Sequence, residues 1–189
     1  AYSSLYISFL ENESIKMISE IKDFLIVKDN FFEKKVYDEI LKDISTLKFT
    51  NRNTYVPNKN VYQQTYFNVP LNKNHFAVIE VLKILKEYGL NLKFWESVYF
   101  LSSKHKKPTP HDDATDLNCL VYLKGKELVN SGTGFYDKTG DTYKLNRHVG
   151  FKENRAIIFD SKIFHSSLQF NEDAGSRYVM ANFLYYKND

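Results

Sequence analysis

Apolar residues recur at helical spacing through the first half of the chain. In "ENESIKMISEIKDFL", Ile15, Ile18, Ile21 and Leu25 fall on one face, and the pattern predicts an amphipathic helix packed on a core. "FLIVKD" follows as a short apolar run of strand type. In "FFEKKVYDEILKDISTL", Val36, Ile40, Ile44 and Leu47 form a second stripe, with Asp29 or Asn30 as the expected N-cap. "VYQQTYFNV" alternates and reads as a strand. A third helix is expected in "HFAVIEVLKILKEYG", capped by Asn74 and closed by Gly89 in a left-handed position.

From Phe94 onward the period shortens. "FWESVYFLSS", "LNCLVYLK", "TGFYD", "RAIIFD", "HSSLQF" and "RYVMANFLYY" are short and rich in β-branched and aromatic residues. Turn material such as "KHKKPTP", "NSG" and "NEDAGS" separates them. Many short strands with no helical pattern between them predict an antiparallel sandwich or barrel. The class is therefore α+β, with the N-terminal helices expected to cover one outer face of the sheets. At 189 residues the chain suits a single domain. Residues 1–93 read as a mainly helical supporting layer, and residues 94–187 as a β core; no internal repeat or linker divides them.

Composition narrows the possibilities little further. Hydrophobic residues make up 43%, with 7 Gly and 4 Pro, so neither disorder nor a flexible linker is indicated. The net charge of +3 is spread among interspersed acids and bases and does not call for a nucleic-acid or membrane partner. Cys119 is the only cysteine, which rules out an intrachain disulfide and a cysteine-based zinc site and fits a reducing, cytoplasmic setting. No apolar run approaches the roughly 18 residues that span a bilayer. The opening "AYSSLYISFLENES" is not a persuasive signal peptide.

The candidate chemistry begins at "TPHDDATD". In an extended segment His111 and Asp113 share a face while Asp112 points away, so one imidazole and one carboxylate could meet a single ion. Such a pair alone is weak evidence. His165 lies 52 residues beyond Asp113 at the start of "HSSLQF", in apolar surroundings where a lone histidine is ordinarily a packed core residue. Together, though, two histidines and a carboxylate make the facial triad that holds non-haem Fe(II) and leaves positions open for substrate and O₂. Arg177 opens the last strand-like segment, twelve residues after His165. If "NEDAGS" is a hairpin turn, Phe170 faces Arg177 and His165 lies opposite Asn182, which puts Arg177 on the order of 16 Å along the backbone from the metal level. An inward guanidinium there suits the far carboxylate of a short dicarboxylic acid.

These residues, in this order, resemble a known superfamily. "HDD" with His111 and Asp113, "VYLK" before "SGTGFY", then His165 and Arg177 are similar to the Fe(II)- and 2-oxoglutarate-dependent dioxygenases, in particular the prolyl-4-hydroxylase-like branch. The likeness covers roughly Phe94 to Tyr186, and "FLIVKDNFFEKKVYDEIL" resembles the strand-then-helix entry of that branch. The resemblance implies a double-stranded β-helix (a jelly roll, cupin-like) with Fe(II) on His111, Asp113 and His165. It implies 2-oxoglutarate as cosubstrate, O₂ as oxidant, and hydroxylation of an unactivated C–H bond. It makes Tyr122 the tyrosine that joins Arg177 on the distal carboxylate. Asn118, Leu120 and Tyr122 share one strand face, so Asn118 also falls on the site side, while Tyr99 on the preceding strand is a weaker candidate for the pocket wall.

The substrate implied is a prolyl or other peptide side chain, and a free amino acid or small metabolite fits the same chemistry. Retention of Asp113 leaves no place for a halide ligand and favours hydroxylation over halogenation. A non-catalytic cupin-like binding module is the competing class, with metal content as the discriminator. Nucleic-acid demethylases of the AlkB type carry a second arginine six residues after the first, where this chain has Phe183, so nucleic acid is disfavoured despite "KHKKP". "NRNTYVPNKNVYQQTYF" and "KHKKPTP" are candidates for the substrate rim. His75, His105 and His148 read as surface or packing residues, and Cys119 as a small apolar filler.

Overall fold

The computed structural model describes residues 24–51, 54–56, 61–63, 67–102, 109–169 and 175–187. Of the helix expected over residues 11–25 only Phe24 and Leu25 are described, and Leu25 is the first residue of a strand rather than part of a helix; most of both rim segments lie outside the described residues. Strand β1 (Leu25–Lys28) realises the run "LIVK", and α1 (Lys34–Thr46) follows. The helix begins after Glu33 with no side-chain cap, not after Asp29 or Asn30. Asn30 instead takes a left-handed turn at φ 52°, a conformation asparagine tolerates. The short strands β2 (Thr50–Asn51), β3 (Thr54–Val56), β4 (Val61–Gln63) and β5 (Phe67–Leu71) lead to α2 (Phe76–Glu87). Its cap is His75 rather than Asn74: the His75 imidazole accepts from the Ala77 amide. Gly89 closes the helix at φ 75°, as the sequence predicts.

Seven longer strands complete the chain: β6 (Leu92–Ser102), β7 (Leu117–Lys124), β8 (Leu128–Thr139), β9 (Thr142–Phe151), β10 (Arg155–Asp160), β11 (Phe164–Gln169) and β12 (Arg177–Tyr186). A seven-stranded sheet has the order β1-β10-β7-β12-β6-β5-β2, a three-stranded sheet β11-β8-β9, and β3 pairs with β4. Every pairing is antiparallel. The seven- and three-stranded sheets give the antiparallel two-sheet architecture that the strand pattern predicts. Within the described part of the first half, β1, β2 and β5 join the large sheet.

Two expectations about connectivity change. The strand β9 has no counterpart in the sequence reading; its residues Thr142 to Asn146 are largely exposed and polar, which hides the strand pattern. Nor do β11 and β12 form a hairpin. β11 pairs with β8 in the small sheet, whereas β12 lies between β6 and β7 in the large one. Asn182 therefore faces Ser97 and Cys119, not His165, and Arg177 faces Ser102. A polar turn signal is the same whether the chain folds back on its neighbour or crosses to the other sheet.

Alternation along the strands divides the interior. On β7, Cys119, Val121 and Leu123 join Ile40 and Ile44 of α1 and Val78, Val81 and Leu85 of α2 in one apolar cluster. Tyr122 points the other way, into a second cluster with Phe135, Val149, Phe151, Ile157 and Phe159. β10 splits likewise: Ala156 and Ile158 face the helices, Ile157 and Phe159 the space between the sheets. The period of two thus gives one strand a packing face and an inner face. Among the described residues no helix is long and apolar enough to cross a membrane.

Candidate active site

The inner face carries most of the polar residues singled out above. His111 lies at the edge of the small sheet's first strand: its amide donates to the His165 carbonyl at 3.0 Å, and the His165 amide donates back to the His111 carbonyl at 2.8 Å. This isolated bridge joins two histidines 54 residues apart and puts their ring centroids 4.7 Å from each other. The Asp113 amide donates to the Ser161 carbonyl at 2.9 Å, which holds its carboxylate beside them. Candidate ligand atoms of His111, Asp113 and His165 all lie within 4.8 Å of one another.

Tautomers follow from the neighbours. Nδ1 of His111 is 3.2 Å from the Thr109 carbonyl and Nδ1 of His165 is 2.9 Å from that of Ile163. A carbonyl can only accept, so each Nδ1 carries a proton, which leaves Nε2 as the ring atom available to a metal. Asp113 Oδ2 lies 3.4 Å from His165 Nε2 and accepts from the Asn118 amide at 2.6 Å. The Thr115 hydroxyl donates in turn to Asn118 Oδ1, fixing which way that amide points. Burial pushes the Asp113 carboxyl up, but the His165 hydrogen bond and charge, the Asn118 amide and the His111 charge together hold it below its ordinary value. The set thus combines two imidazoles with a carboxylate, a donor set suited to a divalent transition metal. Exposure falls from His111, which is exposed, through half-buried Asp113 to His165, so the cluster opens at the His111 side. The rings of Phe159 and Phe135 stand 4.8 Å and 6.5 Å from His165 and keep its inner side dry.

Arg177 is buried and reaches across to the small sheet. Its guanidinium donates to the Ser131 hydroxyl on β8 at 2.8 Å and to the Leu168 carbonyl on β11 at 3.0 Å. Leu168 is three residues past His165, so Arg177 sits about 10 Å along the strand from the histidine. That is closer than the hairpin geometry allowed. Phe151 lies under the guanidinium at 5.9 Å and stacks on Tyr122 at 4.7 Å. The Tyr122 hydroxyl donates to Thr133 at 2.7 Å, and burial pushes its pKa up, so it stays a neutral donor.

Of the residues read from sequence, the structure brings together His111, Asp113, His165 and Asn118 at one level and Arg177 and Tyr122 deeper on the same interior. Tyr99 is not among them. It lies opposite Met180 on the helix-facing side, with its ring edge-on to His75 at 5.8 Å. Around Tyr99 successive residues Ser97, Val98 and Tyr99 are all buried, so neither alternation nor polarity fixes which side looks inward there. Ser131 and Thr133 went unnoticed as partners of Arg177 and Tyr122. Their alternation within "SGTGF" is the signal that could have found them.

No protein-family model matches the chain, and no curated protein matches it in sequence. Solved structures match it in shape. The non-heme α-ketoglutarate-dependent epimerase SnoN from nogalamycin biosynthesis superposes with a TM-score of 0.65 at 12% identity, over 91% of this chain and 82% of that one. HygX from Streptomyces hygroscopicus, solved with nickel and 2-oxoglutarate bound, gives 0.61 at 11% identity, over 88% and 84%. A prolyl hydroxylase from Trichoplax adhaerens, in complex with a hypoxia inducible factor peptide fragment, gives 0.59 at 12%, over 91% and 87%. The structural neighbours are iron- and 2-oxoglutarate-dependent oxygenases, and the fold of this chain is theirs.

Proposed function

We propose that the protein is an Fe(II)- and 2-oxoglutarate-dependent oxygenase that hydroxylates an unactivated C–H bond. The observation that carries this reading is the convergence of His111, Asp113 and His165 within 4.8 Å, with the buried Arg177 guanidinium on the same interior. His111, Asp113 and His165 would hold the ferrous ion, and Arg177 with Tyr122 would take the distal carboxylate of 2-oxoglutarate. When bound, the metal and cosubstrate supply oxygen activation coupled to decarboxylation to succinate and CO₂.

The chain's own residues supply position and dryness. Asn118 and the Ser161 carbonyl orient the Asp113 carboxylate, and the Thr109 and Ile163 carbonyls hold the two imidazoles in the ligating tautomer. Ser131 and the Leu168 carbonyl aim the Arg177 fork, while Phe135, Phe151 and Phe159 exclude water between the sheets. Substrate enters past His111, the exposed member of the set. Prolyl or other peptide side chains and small metabolites are both compatible with that opening. Because Asp113 keeps a carboxylate in the set, hydroxylation is favoured over halogenation.

A screen against peptides, amino acids and oligonucleotides, with the Fe(II)-loaded protein and 2-oxoglutarate, tests the proposal. Succinate release and one added oxygen by mass spectrometry are expected. Product of unchanged mass but inverted configuration would replace hydroxylation by epimerisation, and failure to consume 2-oxoglutarate under any condition would sink the catalytic reading.

A further inference from the structure

Arg147 is a cation that the site described so far does not use. On β9 it lies directly opposite Phe135, which lies opposite His165 on β11. Residues directly opposite in antiparallel strands share a face. Phe135 belongs to the inner cluster, and so do Val149 and Phe151, two and four residues beyond Arg147 on its own strand. Arg147 therefore faces the space between the sheets, in the same row as His165. Two strand spacings separate their backbones, about 10 Å.

Burial along β9 places it at the mouth. The strand is largely exposed from Thr142 to Asn146, half-buried at Arg147, and dry at Val149 and Phe151. The Arg147 Nε is shielded from water and has no hydrogen-bond partner. Among the described residues no carboxylate pairs with it. A guanidinium that has lost water at Nε without gaining a partner carries an uncompensated desolvation cost. The deeper arginine, Arg177, by contrast, is bound to Ser131 and Leu168. A planar fork with an unused Nε–H fits a carboxylate, which can accept from Nε and one terminal nitrogen together.

We propose that Arg147 is a specificity residue that binds a carboxylate of the substrate at the mouth of the site, so that the substrate is a small carboxylic acid. The acid lies across Phe135, anchored at Arg147, with its reacting carbon toward His111, Asp113 and His165. This inference rests on the oxygenase reading and adds the substrate class to it.

The test uses full-length protein carrying Zn(II) in place of iron and saturating 2-oxoglutarate, whose uptake is first read by calorimetry. N-acetylglycine is then titrated, with N-acetylglycinamide and inorganic phosphate in parallel, while NMR follows the Arg147 side-chain Nε–H resonance, assigned with R147M. The acid is expected to shift that resonance where the neutral amide does not. R147M is expected to weaken N-acetylglycine binding by about tenfold or more while 2-oxoglutarate uptake is retained. An unmoved resonance, an equal response to the amide, or a response to phosphate but not to the acid would overturn the proposal. Failure of 2-oxoglutarate uptake would instead strike the oxygenase reading, and it is seen in the separate calorimetric step.

Discussion

The two faces of the seven-stranded sheet are built from the same strands and do different work. Toward α1 and α2, β7 presents Cys119, Val121 and Leu123, and its neighbours add Ile158, Met180 and Leu184. Toward the small sheet the same strand presents Asn118 and Tyr122, each hydrogen-bonded to a polar partner. Polar groups do occur on the helix side, but there they lock packing. Ser97 donates to Asn182, whose amide donates to the Cys119 carbonyl, and Asp43 pairs with His75 at 3.1 Å. On the inner face the polar groups converge on a small space and leave ligating atoms pointing at one another. The difference teaches that burial of polar side chains does not mark a site; convergence of unspent donors and acceptors does.

Substitutions on the two faces should separate accordingly. The largest effect is expected from H165A, which removes an inner donor. Metal-dependent thermal stabilisation should vanish and 2-oxoglutarate turnover should fall below detection, while the metal-free protein melts with its cooperative transition intact. Next comes I40A on the other face: Ile40 is fully buried against the sheet, and its truncation should cost about 2–5 kcal/mol in denaturant unfolding. The folded fraction of that variant should still bind metal. If it does not, the two faces are coupled rather than separate.

A paired comparison of tyrosines sharpens the contrast. Y122F removes the hydroxyl that donates to Thr133 beside Arg177 and should weaken 2-oxoglutarate binding severalfold in calorimetry. Y99F removes a hydroxyl on the helix side and should leave that affinity unchanged. Equal losses in both would erase the assignment of faces.

The smallest effect concerns acid stability, at the start of β10. Asp29 receives Arg155 at 2.6 Å and Lys152 at 2.9 Å, and the Arg155 hydrogen bond foremost brings its pKa from 3.8 down to about 2. A carboxylate depressed in the folded state contributes stability that is present above its unfolded pKa and is lost as pH falls through the folded one. Stability should therefore decline between about pH 4 and pH 2, and D29N should flatten that slope in urea titrations. An unaltered slope would show that other carboxylates dominate acid unfolding.

The sequence made the site more legible than the fold around it. His111, Asp113, His165 and Arg177 stand out because the metal and anion binding proposed for them restricts residue type and order. Their meeting, however, depends on a bridge between residues 54 positions apart and on a crossover from β11 to the other sheet. Local turn signals carry neither, which is why the hairpin reading put Asn182 beside His165. Tyr99 was misplaced because Ser97, Val98 and Tyr99 are all buried, so the strand shows no polar-out phase at that point. Arg147 escaped notice because β9 shows its strand character only where it turns inward.

The most direct test of the central claim is anaerobic calorimetric titration of 2-oxoglutarate into the protein, with and without Fe(II). Tight binding should require the metal, disappear in H111A together with the metal, and weaken in R177A while the metal is kept. Binding of equal strength without Fe(II), or metal retention undiminished in H111A, would contradict it.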